Sequence, residues 1–188
     1  MIAWCLRILC LLALGCAAAS WAQSAATFEP LLAGAHRSAG NVARDAHRHP
    51  AQTLAFFGIQ PQHTVVEVLP GSAGYYMEIL APWLRAQGRY IAANRDESLP
   101  QYLPDHQKLL ARLSDEAALY AQVTVAPFRA DRHAIASPGS ADVVISFRNL
   151  HNWIERQELA ESLSTFYKAL KPGGVLGIVD HRAREDWP

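Results

Sequence analysis

Three stretches of this sequence carry residue types at spacings that can do chemistry. The first, VVEVLPGSAGYY at 65–76, sets Glu67 inside an apolar run and follows it with a small-residue turn holding Gly71, Ser72 and Gly74. A glycine turn after a strand lets backbone N–H groups and a helix N-terminus approach an anionic or polar ligand. A carboxylate among apolar residues is costly unless partnered, so Glu67 must meet either a ligand or another group of the fold. The same glycines would also serve a plain, tight strand-to-helix turn. The other two stretches, RNLHNW and VDHRA, supply His151 and the pair Asp180–His181. A histidine held by a carboxylate can act as a general base that deprotonates a nucleophile.

The remaining titratable residues narrow the choice. His36, His63, His106 and His133 stand alone, and HRH at 47–49 puts His47 and His49 on one side of an extended segment with no third ligand near them. No metal site is expected from this pattern. Cys5, Cys10 and Cys16 all lie in the first 22 residues, so the rest of the chain has no disulfide, thiol nucleophile or cysteine-bound zinc. Seventeen basic residues balance seventeen acidic ones without a basic stripe, which argues against nucleic acid as a partner.

The elements that must position these residues alternate. Strands are predicted at 63–69, 89–93, 122–127, 141–147 and 175–180, with helices at 75–87, 103–118 and 154–170, and KPGG at 171–174 as a turn. Ahead of them, 30–36 and 51–57 read as helices, the second stopped by Gly58. Continuous runs such as DVVISF and VLGIVD suit strands covered on both faces. The expected fold is therefore α/β, a Rossmann-like doubly wound sheet of about five parallel strands. Ligands in such sheets bind beyond the carboxyl ends of the strands. That rule singles out 69–74, 93–96, 128–131, 148–151 and 180–182.

The N-terminal 22 residues have another purpose. Arg7 precedes an uncharged run from Ile8 to Ala19, closed by Ser20-Trp21-Ala22. This is the pattern of a secretory signal cut after Ala22. An uncleaved anchor, or lipidation at Cys16, are the alternatives, and only these would tie the protein to a membrane. The organisation read from the sequence is a signal peptide at 1–22, a helical segment at 23–58 and an α/β domain at 59–188. The expected location is periplasmic or secreted.

Glycine spacing then separates two cofactor classes. Dinucleotide sites carry G-x-G-x-x-G and an acid at the end of the second strand. Here only Gly71 and Gly74 occupy the turn, and Glu67 precedes it. VVEVLPGSAGYYMEIL, SADVVISFRNLHNWI and ALKPGGVLGIVDHRA together resemble the class I S-adenosylmethionine (SAM)-dependent methyltransferases, and more narrowly a group of exported, methyltransferase-like bacterial proteins, over about residues 40–184. The resemblance implies that Glu67, Gly71, Ser72 and Gly74 face the methionine end of SAM. By the same resemblance Asn94 or Asp96 meets the ribose, Asp131 the adenine, and Arg148 and Asn149 the junction of cofactor and substrate. His151, Asp180 and His181 would be the catalytic group, acting on a small-molecule acceptor.

Leu69, Ala73 and neutral Asn94 depart from the family pattern. A lost charge-assisted ribose bond would weaken cofactor binding by about 1.5–3 kcal/mol. The family also continues past the fifth strand with a helix and an antiparallel strand pair. This chain reaches residue 188 without it, which reads as a C-terminal truncation and predicts an exposed fifth strand open to homodimerisation. The competing expectation is a catalytically silent, exported α/β ligand-binding module descended from a methyltransferase.

Overall fold

The computed structural model describes residues 28–129 and 134–182. The segment 1–22 and Asp131 lie outside them. Two compact units divide the chain, one ending at Gln60 and one beginning at Pro61. The first is a run of short helices: α1 Glu29–Leu32, α2 Ala39–Val42, α3 Asp45–Arg48 and α4 Pro50–Phe56. Its buried cation, Arg37, is paired with Asp45 at the start of α3. Gly58 closes α4 at φ +65°, its N–H bonded to Ala55 O and the next N–H, of Ile59, to Leu54 O. That is the left-handed cap a glycine makes without steric cost.

The HRH segment differs from the extended chain expected of it. His47 belongs to α3, and His49 takes left-handed backbone at φ 44°. Pro50 behind it disfavours right-handed helix at that position. The alternation that would have set His47 beside His49 is therefore absent.

The second unit runs β1 Thr64–Val68, α5 Met77–Leu84, β2 Arg89–Arg95, α6 Leu103–Asp115, α7 Ala117–Tyr120, β3 Thr124–Phe128, β4 Ala141–Phe147, α8 Leu150–Glu155, α9 Leu159–Ala169 and β5 Leu170–Val179. All five strands are parallel, in the order β3-β2-β1-β4-β5. This is the doubly wound sheet that the alternation of elements predicted.

Residue alternation along the strands divides the two faces. Val66 and Val68, with Ile91, Ala93 and Val144, build one core with Trp153 of α8 and Phe166 of α9. Glu67 and Tyr90 are directed to the opposite face, where Ala81 and Leu84 of α5 and Leu119 of α7 adjoin Tyr90. Both faces are thus covered, as β-branched runs without a polar stripe require. Among the described residues no helix is long and apolar enough to cross a membrane.

Several boundaries depart from the sequence reading: the helix expected over 30–36 ends at Leu32, and that over 103–118 is divided at Glu116 into α6 and α7. The single helix expected over 154–170 is two helices, α8 and α9, parted by Gln157 at φ 59°. Gln157 N–H bonds Ile154 O and Glu158 N–H bonds Trp153 O, a Schellman cap built on a non-glycine residue. KPGG, in turn, lies within β5 instead of before it. Ala141 pairs with Leu170 and Val143 with Val175, so the four residues 171–174 bulge out of the ladder, with Gly173 at φ 79°.

Candidate functional site

Strand order reverses between β1 and β4, and the chain leaves both strands in the same unusual way. Leu69 follows β1 at φ 55° and Arg148 follows β4 at φ 61°. Left-handed backbone costs a residue with a Cβ about 1–2 kcal/mol. Continued strand bonds hold both in place: Leu69 N–H to Ala93 O at 2.8 Å, and Arg148 N–H to Val179 O at 2.7 Å. Asn149 ties the two strand ends together. Its Nδ2 donates to Ser146 Oγ at 3.0 Å, Phe147 O at 3.2 Å and Val68 O at 3.4 Å. The amide assigned to cofactor by resemblance is thus engaged with the backbone of the switch point.

The turn after β1 is closed on itself, with Gly74 N–H bonded to Gly71 O at 3.2 Å. Gly71 and Gly74 have φ of 71° and 50°, and a Cβ on Gly74 would meet Met77 at 2.8 Å and Arg112 at 3.0 Å. Gly71, Ser72 and Ala73 are exposed. Arg112 of α6 fixes this turn from outside. Its Nη1 donates to Ala73 O at 2.7 Å and its Nη2 to Oε1 of fully buried Glu78 at 2.6 Å. Burial alone would lower the Arg112 pKa, but Glu78, with Tyr120 and Glu116 beside it, outweighs that and the guanidinium holds its proton more firmly than usual.

Glu67 has the partner its burial demands. Tyr90 Oη donates to Glu67 Oε2 at 2.5 Å, and both residues are buried. Burial first, then the adjacent carboxylate, push the Tyr90 hydroxyl well above the ordinary tyrosine range, so it stays a donor. At the end of β2, Asn94 and Asp96 are both buried. Asp96 Oδ1 accepts Ser98 N–H at 3.0 Å, and Oδ2 lies 3.8 Å from Arg129 beyond β3.

A cleft of about 290 Å³ opens beyond the carboxyl ends of β1, β2 and β3. Leu69, Leu99, Tyr102, Phe128 and Trp153 supply its apolar and aromatic walls. Arg95, stacked 4.7 Å from the centre of the Tyr102 ring, and Arg129 are among its charged groups. Of the residues assigned to cofactor from the sequence, none of those among the described residues is in this lining. Leu69, Arg95, Phe128 and Arg129 do fall in the strand-end windows that the α/β pattern singles out. Tyr102 and Trp153 do not. They lie within or next to helices, where only tertiary packing decides which face meets a cleft.

Across the switch point, beyond β4 and β5, the three residues expected to be catalytic do converge. His151 Nδ1 is 2.8 Å from Asp180 Oδ1, and His151 N–H donates to Asp180 Oδ2 at 3.1 Å. His181 N–H donates to Asp180 Oδ1 at 2.7 Å. The two imidazole rings lie edge to face, 5.1 Å apart. Partial burial works against ionisation of Asp180, yet the hydrogen bonds from His181 and His151 prevail and hold its carboxyl below the usual range. An ionised carboxylate only accepts, so His151 donates to it from Nδ1, and Nε2 is the ring nitrogen outside this bond. Arg148 Nε and Nη2 reach His181 Nε2 at 3.3 and 3.2 Å, which places the His181 proton on Nδ1.

No family model matches this sequence, and no curated protein does. Solved structures do. A SAM-dependent methyltransferase from Aquifex aeolicus superposes with a TM-score of 0.59 at 20% identity, over 78% of this chain and 72% of that one. The chain has that fold. The YcgJ protein from Bacillus subtilis matches with a TM-score of 0.55 at 15% identity, covering 74% of this chain and 53% of its own. The CurJ carbon methyltransferase matches at 0.54 and 16%, covering 79% and 38%. At these identities the likeness is one of fold, and this chain spans only about half of YcgJ and less of CurJ.

Proposed function

We propose that this protein binds SAM beyond the carboxyl ends of β1–β3 and transfers the methyl group to a small-molecule acceptor. The observation that carries the reading is the cleft walled by Leu69, Leu99, Tyr102, Phe128 and Trp153 at the switch-point side of a sheet with this strand order. Flat apolar and aromatic walls suit a purine, and a crevice at the strand ends is where this architecture holds nucleotides. Its volume lies near the lower limit of about 300 Å³ for ligand clefts. The turn at 71–74, held by Arg112, would face the methionine end. SAM, when bound, supplies an electrophilic methyl carbon on a sulfonium. The chain's own residues then orient and deprotonate the acceptor. His151 Nε2 takes the proton, and Asp180 fixes the ring through Nδ1.

The setting proposed for this activity is extracytoplasmic, on the basis of the apolar run at 8–19 and the Ser20-Trp21-Ala22 site. Mass measurement of the mature chain from cell fractions tests that point.

Calorimetric titration of SAM and S-adenosylhomocysteine into the full chain tests the function, with Tyr102→Ala as the cleft variant. One site per chain for both ligands, weakened about tenfold or more when the ring is removed, is the expected result. Folded protein that takes up neither ligand would overturn it and leave the silent binding module as the reading.

A further inference from the structure

His151, Asp180 and His181 form a set of groups that the sequence pattern did not point to as metal ligands. One ligating atom from each lies within 4.8 Å of those from the other two. Two imidazoles and a carboxylate are donors that suit a divalent transition ion better than magnesium or calcium. His151 Nδ1 and Asp180 Oδ1 are 2.8 Å apart. Two neighbouring ligands, each about 2.1 Å from one ion, stand about 3.0–3.4 Å apart. That edge needs only a small opening, and the His181 ligand atom, within 4.8 Å of the other two, would close the third position if its exposed side chain turned. Both histidines are exposed and Asp180 is partly so, which leaves a path of entry and open coordination positions. All three sit just beyond the ends of neighbouring strands, on a base set by the β4–β5 ladder.

One neighbour opposes the ion. The Arg148 guanidinium lies 3.2 Å from His181 Nε2. The bond is exposed, so water can replace it and the side chain can turn away.

We propose that His151, Asp180 and His181 bind a divalent transition-metal ion in competition with Arg148. Binding moves the His151 proton to Nε2 and commits Nδ1 to the metal, which removes the lone pair of the general base. That inhibitory consequence rests on the reading of His151 given above; the ion site itself does not.

The test is zinc titration of the untagged full chain against a chromophoric chelator, without SAM and without any assay of turnover. One zinc per chain is expected, weakened at least tenfold in His151→Ala and in His181→Ala, with circular dichroism confirming that both variants fold. Arg148→Gln should bind zinc about fivefold more tightly, because a like charge beside the ion is gone. Unfolding cannot mimic that gain. Absent zinc binding, or binding that both histidine variants retain, overturns the proposal, as does an Arg148→Gln chain that binds no more tightly. A failed SAM titration beside a positive zinc result would remove the methyltransferase reading and leave the ion site standing.

Discussion

Leu69 stands where the pattern that the sequence resembles carries glycine, and its backbone is left-handed. Its φ of 55° is sterically unfavourable for any residue with a Cβ, yet its side chain packs against the core and forms a wall of the cleft. Two opposing terms follow. Left-handed backbone costs about 1–2 kcal/mol, while full burial of a leucine side chain contributes about 1.5–3 kcal/mol and the half-buried Leu69 gains only part of that. In most positions glycine is less stable than alanine, but here the order should invert. Leu69→Gly is expected to be about 1 kcal/mol more stable than Leu69→Ala, since both lose the packing and only glycine relieves the backbone. Urea denaturation of the two variants measures the difference, and equal or reversed stabilities would show that Leu69 is not held at positive φ. Glu67 was legible as a residue that needs a partner. That the partner is Tyr90, 23 positions away, was not, because it depends on how β2 pairs with β1.

At the scale of elements, one carboxylate joins three strands. Asp142 at the start of β4 accepts Thr64 N–H of β1 at 2.8 Å through Oδ2, and Oδ1 pairs with Lys171 in the β5 bulge at 2.6 Å. Burial would raise its pKa, but the bonds from Lys171 and Thr64 outweigh that and lower it. A carboxylate with a depressed folded pKa contributes stability that is fully present above its unfolded value. The contribution is lost as pH falls through the folded value. The loss therefore begins near pH 4 and continues below it. Asp142→Asn should flatten the acid limb of a plot of melting temperature against pH, while the wild-type curve falls more steeply below about pH 4. Parallel curves would show that Asp142 is not ionised in this bond. KPGG was recognisable as a chain reversal from its composition. Its use as a bulge inside β5 was not, because nothing local to four residues tells whether the ladder resumes on both sides of them.

For the whole molecule, the strand order sets where stability is concentrated. β1 and β4 are central and almost wholly buried, whereas β3 is an edge with one buried residue and β5 is largely exposed. Hydrogen exchange should be slowest at amides such as Val66 and Val144 and much faster along β3 and β5. Similar protection in all five strands would contradict the order β3-β2-β1-β4-β5. By itself the sequence determined the alternation of strands and helices, the parallel sheet, the strand-end windows and the turn glycines. Each of these is written in local periodicity or in a single residue's conformational limits. Tertiary structure alone decided that Tyr102 and Trp153 wall the cleft, that Arg112 reaches the turn after β1, and that Arg148 lies against His181. Those contacts join residues about 30 to 80 positions apart, and they exist only once strand order and helix facing have brought their elements together.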